Sequence, residues 1–128
     1  MTYQLSWQIS NHILHLELED EVTFADYQAI NQAINDELNN SSGFIILIID
    51  VSRYAMGMMA LDRLRDSLTF MYNKKLEYIL IQGAAKLVRL MMLVIFSLSN
   101  AGVKMFQNVT EVDQFVRSYR RSKSAGWA

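Results

Sequence analysis

Asp50, Ser52 and Arg53 follow directly on the most apolar run of the chain, Phe44 to Ile49. Six consecutive large apolar side chains, most of them β-branched, mark a strand covered on both faces. Ligands of open parallel sheets gather beyond the carboxyl ends of the strands. A carboxylate, a hydroxyl and a guanidinium are therefore expected together at such an end. Gln82 and Gly83 close the next apolar run and lead into a helical segment. The first N–H groups of that helix lack partners within it and can receive an anion. Lys86, near its start, opposes the helix dipole unless an anion or an acidic partner lies close. Arg89 is three residues on and can share the face of Lys86. Asp50, Ser52, Arg53, Gln82, Gly83, Lys86 and Arg89 thus form a candidate cleft for a small anionic ligand. The alternative is ordinary surface, with Asp50 capping nearby amides.

Other chemistry finds less support. Asp50 could act as a base, and Ser52 as a nucleophile only beside a general base, but no recognisable pair is present. No catalytic residue is assigned, and the chain reads as non-enzymatic. It has no cysteine, which removes disulfides, thiolate chemistry and Cys-based metal sites. None of its five glycines falls in a dinucleotide or phosphate-loop fingerprint. His12 and His15 lie three apart on one expected strand, point to opposite faces and make a poor metal pair. Glu17, Glu19, Asp20 and Glu21 lack calcium-loop spacing and read as a solvated turn. No metal or cofactor is expected. Arg117, Arg120, Arg121 and Lys123 lie close together without interleaved stacking aromatics, so specific nucleic-acid binding is not expected.

The elements that must position these residues follow from periodicity. Tyr3, Leu5, Trp7 and Ile9 alternate with polar residues, as do Leu14, Leu16 and Leu18 after Ser10-Asn11, which predicts a hairpin. Thr23 and Asp26 form a capping box, with Val22 stapling against Tyr27, for a helix buried along Phe24, Tyr27, Ile30, Ile34 and Leu38. That helix ends at Asn39 to Gly43, where Gly43 is free to take a left-handed conformation. After the strand ending at Asp50, a loop over 51–59 leads to a second helix with a stripe of Leu61, Leu64, Leu68 and Met71 or Tyr72. Leu76 to Ile81 is a strand, Ala84 to about Ser99 a third helix, and Val103 to Phe106 a last strand. Thr110 with Asp113 caps a final helix buried along Val112, Phe115, Val116 and Tyr119. The order β-β-α-β-α-β-α-β-α predicts an α/β fold with a mixed, mainly parallel five-stranded sheet and four helices. One domain over 1–119 and a flexible basic tail over 120–128 are expected.

The third helix is apolar nearly all round, and only Lys86, Arg89, Ser97 and Ser99 interrupt it. A soluble helix normally keeps a polar face toward water. Met58, Met59, Leu87, Leu90, Met91 and Val94 are therefore candidate interface residues. They suit a homodimer, another protein partner or a lipid-like ligand. The competing reading covers the helix on all sides within its own domain. Its apolar run is too short and too interrupted to span a bilayer, and the amino terminus does not read as a secretory signal. A cytoplasmic location is expected.

Charge divides unevenly along the chain. Residues 1–50 carry eight acidic side chains and no Lys or Arg, whereas the remainder carries twelve basic and five acidic. Those counts leave −8 on one half and +7 on the other. Spatial interleaving of the halves would cancel this dipole, and that is the expectation here.

The pattern resembles the STAS domain, the SpoIIAA-like fold of anti-sigma-factor antagonists. The resemblance rests on the hairpin, on Val22-Thr23-Phe24-Ala25-Asp26-Tyr27, and on Ile46-Leu47-Ile48-Ile49-Asp50-Val51-Ser52. Gly102-Val103-Lys104-Met105-Phe106 and Thr110-Glu111-Val112-Asp113-Gln114-Phe115 also carry it. It implies a non-enzymatic module that binds a protein partner, often in a phosphorylation-controlled bacterial circuit, and sometimes a small ligand. Regulated members carry a phosphorylatable serine in an Asp-Ser-Ser-Gly-like motif after the central strand. The corresponding stretch here is Gly57-Met58-Met59-Ala60, which has no hydroxyl residue. The chain is thus similar to a divergent member without that switch.

Overall fold

The computed structural model describes residues 3–55 and 61–122. Strands β1 (Tyr3–Ile9) and β2 (Ile13–Glu21) form an antiparallel hairpin. Its turn is closed by Asn11 in the left-handed region (φ 62°) and by the His12 N–H donating to the Ile9 carbonyl at 3.0 Å. Helix α1 (Phe24–Asn39), strand β3 (Ile45–Ala55), helix α2 (Leu61–Ser67) and a 3-10 helix (Thr69–Tyr72) follow. Then come β4 (Leu76–Gln82), α3 (Lys86–Phe96), β5 (Gly102–Phe106) and α4 (Val109–Ser122). The strands lie in the order β1-β2-β3-β4-β5, with every pair after the hairpin parallel. Element order and sheet type are those the sequence predicts.

Alternation along β3 divides the interior in two. Ile45, Leu47, Ile49 and Val51 enter one cluster with α1, α2 and α3, while Ile46 and Ile48 enter another with Val112 and Val116 of α4. Three helices therefore cover one face of the sheet, and α4 covers part of the other. That second cluster is bordered by aromatic rings, with Tyr78 edge-on to both Phe115 and Tyr119.

The start of α1 is as expected. The Asp26 N–H donates to Thr23 Oγ1 and the Thr23 N–H to Asp26 Oδ2, each at 3.1 Å, and Val22 and Tyr27 are both buried. Elsewhere the structure corrects the sequence reading. No glycine has a positive φ among the described residues, so Gly43 is not a left-handed cap. Instead Lys75 Nζ donates to the Ser41 carbonyl, placing a cation at the negative end of α1. Phe44 lies outside β3 and is exposed, whereas the strand continues past Asp50 to Ala55 because β2 keeps pairing with it.

The expected second helix is broken at Leu68 into α2 and the 3-10 turn. Asn31 Oδ1 takes the Phe70 N–H at 2.9 Å, and Asn35 and Asn39 continue the ladder to Asn73. Asn31 thus satisfies a backbone N–H that a longer helix would have bonded internally, while Asn35 and Asn39 accept from the Asn73 side chain. The last helix is capped by Asn108, whose Oδ1 accepts the Glu111 N–H at 3.0 Å, so Thr110 falls inside it rather than at its cap. Arg120 and Arg121 belong to α4, and residues 123–128 of the expected tail lie outside the described residues.

Removing the α1 cap should register in equilibrium urea unfolding. Thr23→Ala is expected to cost about 1 kcal/mol, and Thr23→Ser to restore most of it.

Candidate functional site

Strand parity determines which of the candidate residues can meet. Asp50 is paired with Glu17 on one side and Gln82 on the other, and it follows Ile46 and Ile48 on the α4 side of the sheet. Asp50 Oδ1 accepts the Ser52 N–H at 2.9 Å and the Ser52 hydroxyl as well. The carboxylate and the hydroxyl therefore satisfy one another. Arg53 turns toward Glu19 (3.8 Å) with its side chain 73% exposed, an ion pair too solvated to contribute much. Gln82 is buried in the same row as Asp50.

Gly83 answers a steric need. Its N–H donates to the Phe106 carbonyl at 2.9 Å, and a Cβ there would stand 2.7 Å from Val51 Cγ2. Lys86 is exposed and Arg89 half-buried at the start of α3, with Arg89 Nε lacking a hydrogen-bond partner among the described residues. Helix α3 packs on the face opposite to the Asp50 side chain. The structure therefore brings Asp50, Ser52 and Gln82 to one corner, and sets Lys86 and Arg89 across the sheet from them.

The candidate interface separates by helix phase. Val88, Met91, Met92, Ile95 and Phe96 face the core, so Met91 is an interior residue and not a surface one. Leu87, Leu90 and Val94 are exposed by 64%, 58% and 38%, and Leu93 and Leu98 join them at 46% and 61%. Met58 and Met59 lie outside the described residues. Arg65 of α2 reaches the far end of the helix, its Nη2 donating to the Val94 carbonyl at 2.9 Å.

A tyrosine pair at the carboxyl end of the sheet escaped the sequence reading. The hydroxyls of Tyr27, on the first turn of α1, and Tyr54, near the end of β3, bond to each other. Burial is the main cause that raises the ionisation of Tyr27 far above its ordinary value of 10.0, and the bond to Tyr54 adds to it. Burial also raises Tyr54, with help from the Glu21 charge and against the bond to Tyr27. Spacing alone gave no sign of the pair, because β3 had been expected to end before Tyr54.

Among the described residues, no group of three or more His, Cys, Asp or Glu is placed to hold a metal. No helix among them is long and apolar enough to cross a membrane. No protein-family model matches the chain, and no curated protein matches it. It is similar to the crystal structure of an uncharacterised DUF3478-family protein with a SpoIIAA-like fold from Shewanella loihica. The TM-score is 0.64 at 15% identity, over 88% of this chain and 90% of that one. The fold is SpoIIAA-like. In this SpoIIAA-like chain the segment corresponding to the regulated serine, Gly57 to Ala60, lies outside the described residues.

The tyrosine pair predicts alkaline sensitivity. Below pH 10 the phenol is neutral in both folded and unfolded chains and adds no pH dependence. Above it the unfolded chain ionises while folded Tyr27 holds its proton, so stability falls as pH rises. Urea unfolding from pH 9 upward should show this loss, and Tyr27→Phe should make it shallower.

Proposed function

We propose that the chain is a non-enzymatic, STAS-like protein-interaction module that docks its partner through the outer face of α3. A regulatory place in bacterial signalling is the setting the resemblance implies. The observation that carries this reading is the apolar outer face itself. Leu87, Leu90, Leu93 and Val94 are exposed on a helix whose opposite face already fills the core, and Leu98 is exposed in the turn just after it. Contiguous exposed apolar surface of several hundred Å² is uncommon on monomers and marks contact sites.

A second reading, a module for a small anionic or lipid-like ligand, draws on the interior. A void of about 10 Å³ between the sheet and α1–α3 is lined by Leu16, Tyr27, Ile30, Leu68, Met92 and Phe96 among others. Its lining favours an apolar occupant over an anion. Its size admits none larger than about one water without movement of the helices.

The docking face is tested by the triple variant Leu87→Gln, Leu90→Gln, Val94→Gln. Gln is nearly as good a helix former as Leu, and exposed substitutions usually change stability by less than about 0.5 kcal/mol each. The variant is expected to melt within a few degrees of wild type and to bind less of a hydrophobic dye. Loss of folding would show that these side chains are core, and the reading would fail.

A further inference from the structure

We infer that Glu17, Asp50 and Gln82, one row across the α4 side of the sheet, bind a guanidinium group. The site lies across the sheet from the outer face of α3, so it is independent of the docking reading above.

Three adjacent strands assemble the row. Asp50 of β3 is paired with Glu17 of β2 and with Gln82 of β4. The alternation that sends Ile13, Ile46, Ile48 and Leu80 toward α4 turns all three to that same face. Neighbouring strands stand about 4.8 Å apart, so the two carboxylates are directly side by side. Like charges so placed destabilise a sheet. Both are half-buried, and neither has an ion-pair partner among the described residues. Ser52 engages only Oδ1 of Asp50, through its N–H and its hydroxyl, and Oδ2 is left to accept.

Gln82 is the independent sign of a ligand. Only 9% of its surface is exposed, and its side-chain amide makes no hydrogen bond to the described residues. Buried polar groups are ordinarily bonded, and one left unbonded is costly. Phe106, its neighbour in the row on β5, offers the amide no polar partner, and Asp50 is its neighbour on the other side.

The chain brings no cation to these groups among the described residues. Arg53, further along β3, is turned to Glu19, and Lys104 of β5 stands over the Phe115 ring. His15 precedes Glu17 on the same face of β2, and the first turns of α4 add only Glu111 and Asp113. A bound cation would relieve the opposed carboxylates and give the amide oxygen a donor at once.

A guanidinium suits the row better than a metal ion. The three acceptors are spread over two interstrand steps, roughly 10 Å at the backbone. A planar fork of five N–H donors can reach several acceptors together, whereas a calcium ion needs its oxygens gathered at about 2.3–2.6 Å. No three His, Cys, Asp or Glu among the described residues are gathered to hold a metal.

NMR titration of the ¹⁵N-labelled chain tests the site, with methylguanidinium and a terminally blocked glycyl-arginyl-glycine peptide as probes. The Gln82 side-chain amide signals are expected to move saturably at millimolar concentration. Tighter binding of the peptide assigns the group to a partner's arginine, and tighter binding of methylguanidinium to a small molecule. Glu17→Gln and Asp50→Asn should each weaken binding roughly tenfold, since each removes one charge-assisted bond. Without ligand both should melt above wild type at low salt, because the opposed charges are gone. Gln82→Met removes the amide, keeps the apolar stem, and should also melt higher while losing affinity.

Sodium chloride of equal ionic strength moving the same signals equally would overturn the inference, as would binding indifferent to Glu17→Gln. A Gln82→Met variant that melts lower would show that the amide is bonded within the chain and would count against it. Saturation by calcium with no response to either guanidinium probe would overturn it in favour of a metal site.

Discussion

The burial of β3 on both faces is the constraint from which the remaining architecture follows. Ile45 to Ile49 are each no more than 2% exposed, and alternate members point into different cores. A one-residue slip in register would exchange the two sets and place Asp50 among the helices α1–α3. Burial on both faces also requires a helix layer above and below the middle of the sheet. Parallel neighbours on either side then require crossover connections long enough to supply those layers. Polar side chains begin at Asp50, where β4 ends and only β2 continues beside the strand.

Because the strands stand in sequence order, the halves of the chain do not interleave, contrary to the expectation from the charge pattern alone. The acidic residues of β2 and α1 come from the first half of the chain, Lys104 lies on the edge strand β5, and Arg117, Arg120 and Arg121 belong to α4, which packs over the middle of the sheet. The same order gathers α1, α2 and α3 on one face and leaves α4 alone on the other. Beside α4, Gln4, Ser6, Gln8, His15 and Glu17 occupy the hairpin's solvated face, which accounts for its strict polar alternation.

Strands and helix stripes were legible because their periods reflect which side faces oil. The capping box at Thr23 was legible because it is local, satisfied within four residues. What escaped depended on partners distant in sequence. The break at Leu68 is made by Asn31, 39 residues before Phe70, and on α1 alone that asparagine reads as an ordinary polar position. The extension of β3 depends on β2, and the separation of Asp50 from Lys86 depends on sheet parity combined with the side to which α3 crosses. The candidate cleft was assembled from residues near one another along the chain ends of strands. A sheet has two faces, and linear proximity does not distinguish them. Met91 was misplaced by a smaller error, one position of helix phase on a helix apolar nearly all round.

That helix sharpens the case for recognition through a surface rather than a strand-end switch. The stretch Gly57-Met58-Met59-Ala60 after the central strand has no hydroxyl residue. Intramolecular packing does not explain Leu87, Leu90 or Leu98, since more than half of each side chain's residue surface is open to water. Helix propensity does not explain them either, because Lys, Glu and Gln at those positions would serve α3 about as well. Nor does capping, since Lys86 opposes the dipole it sits on. Each feature is unfavourable or neutral in the isolated chain and favourable against an apolar surface whose rim is negative.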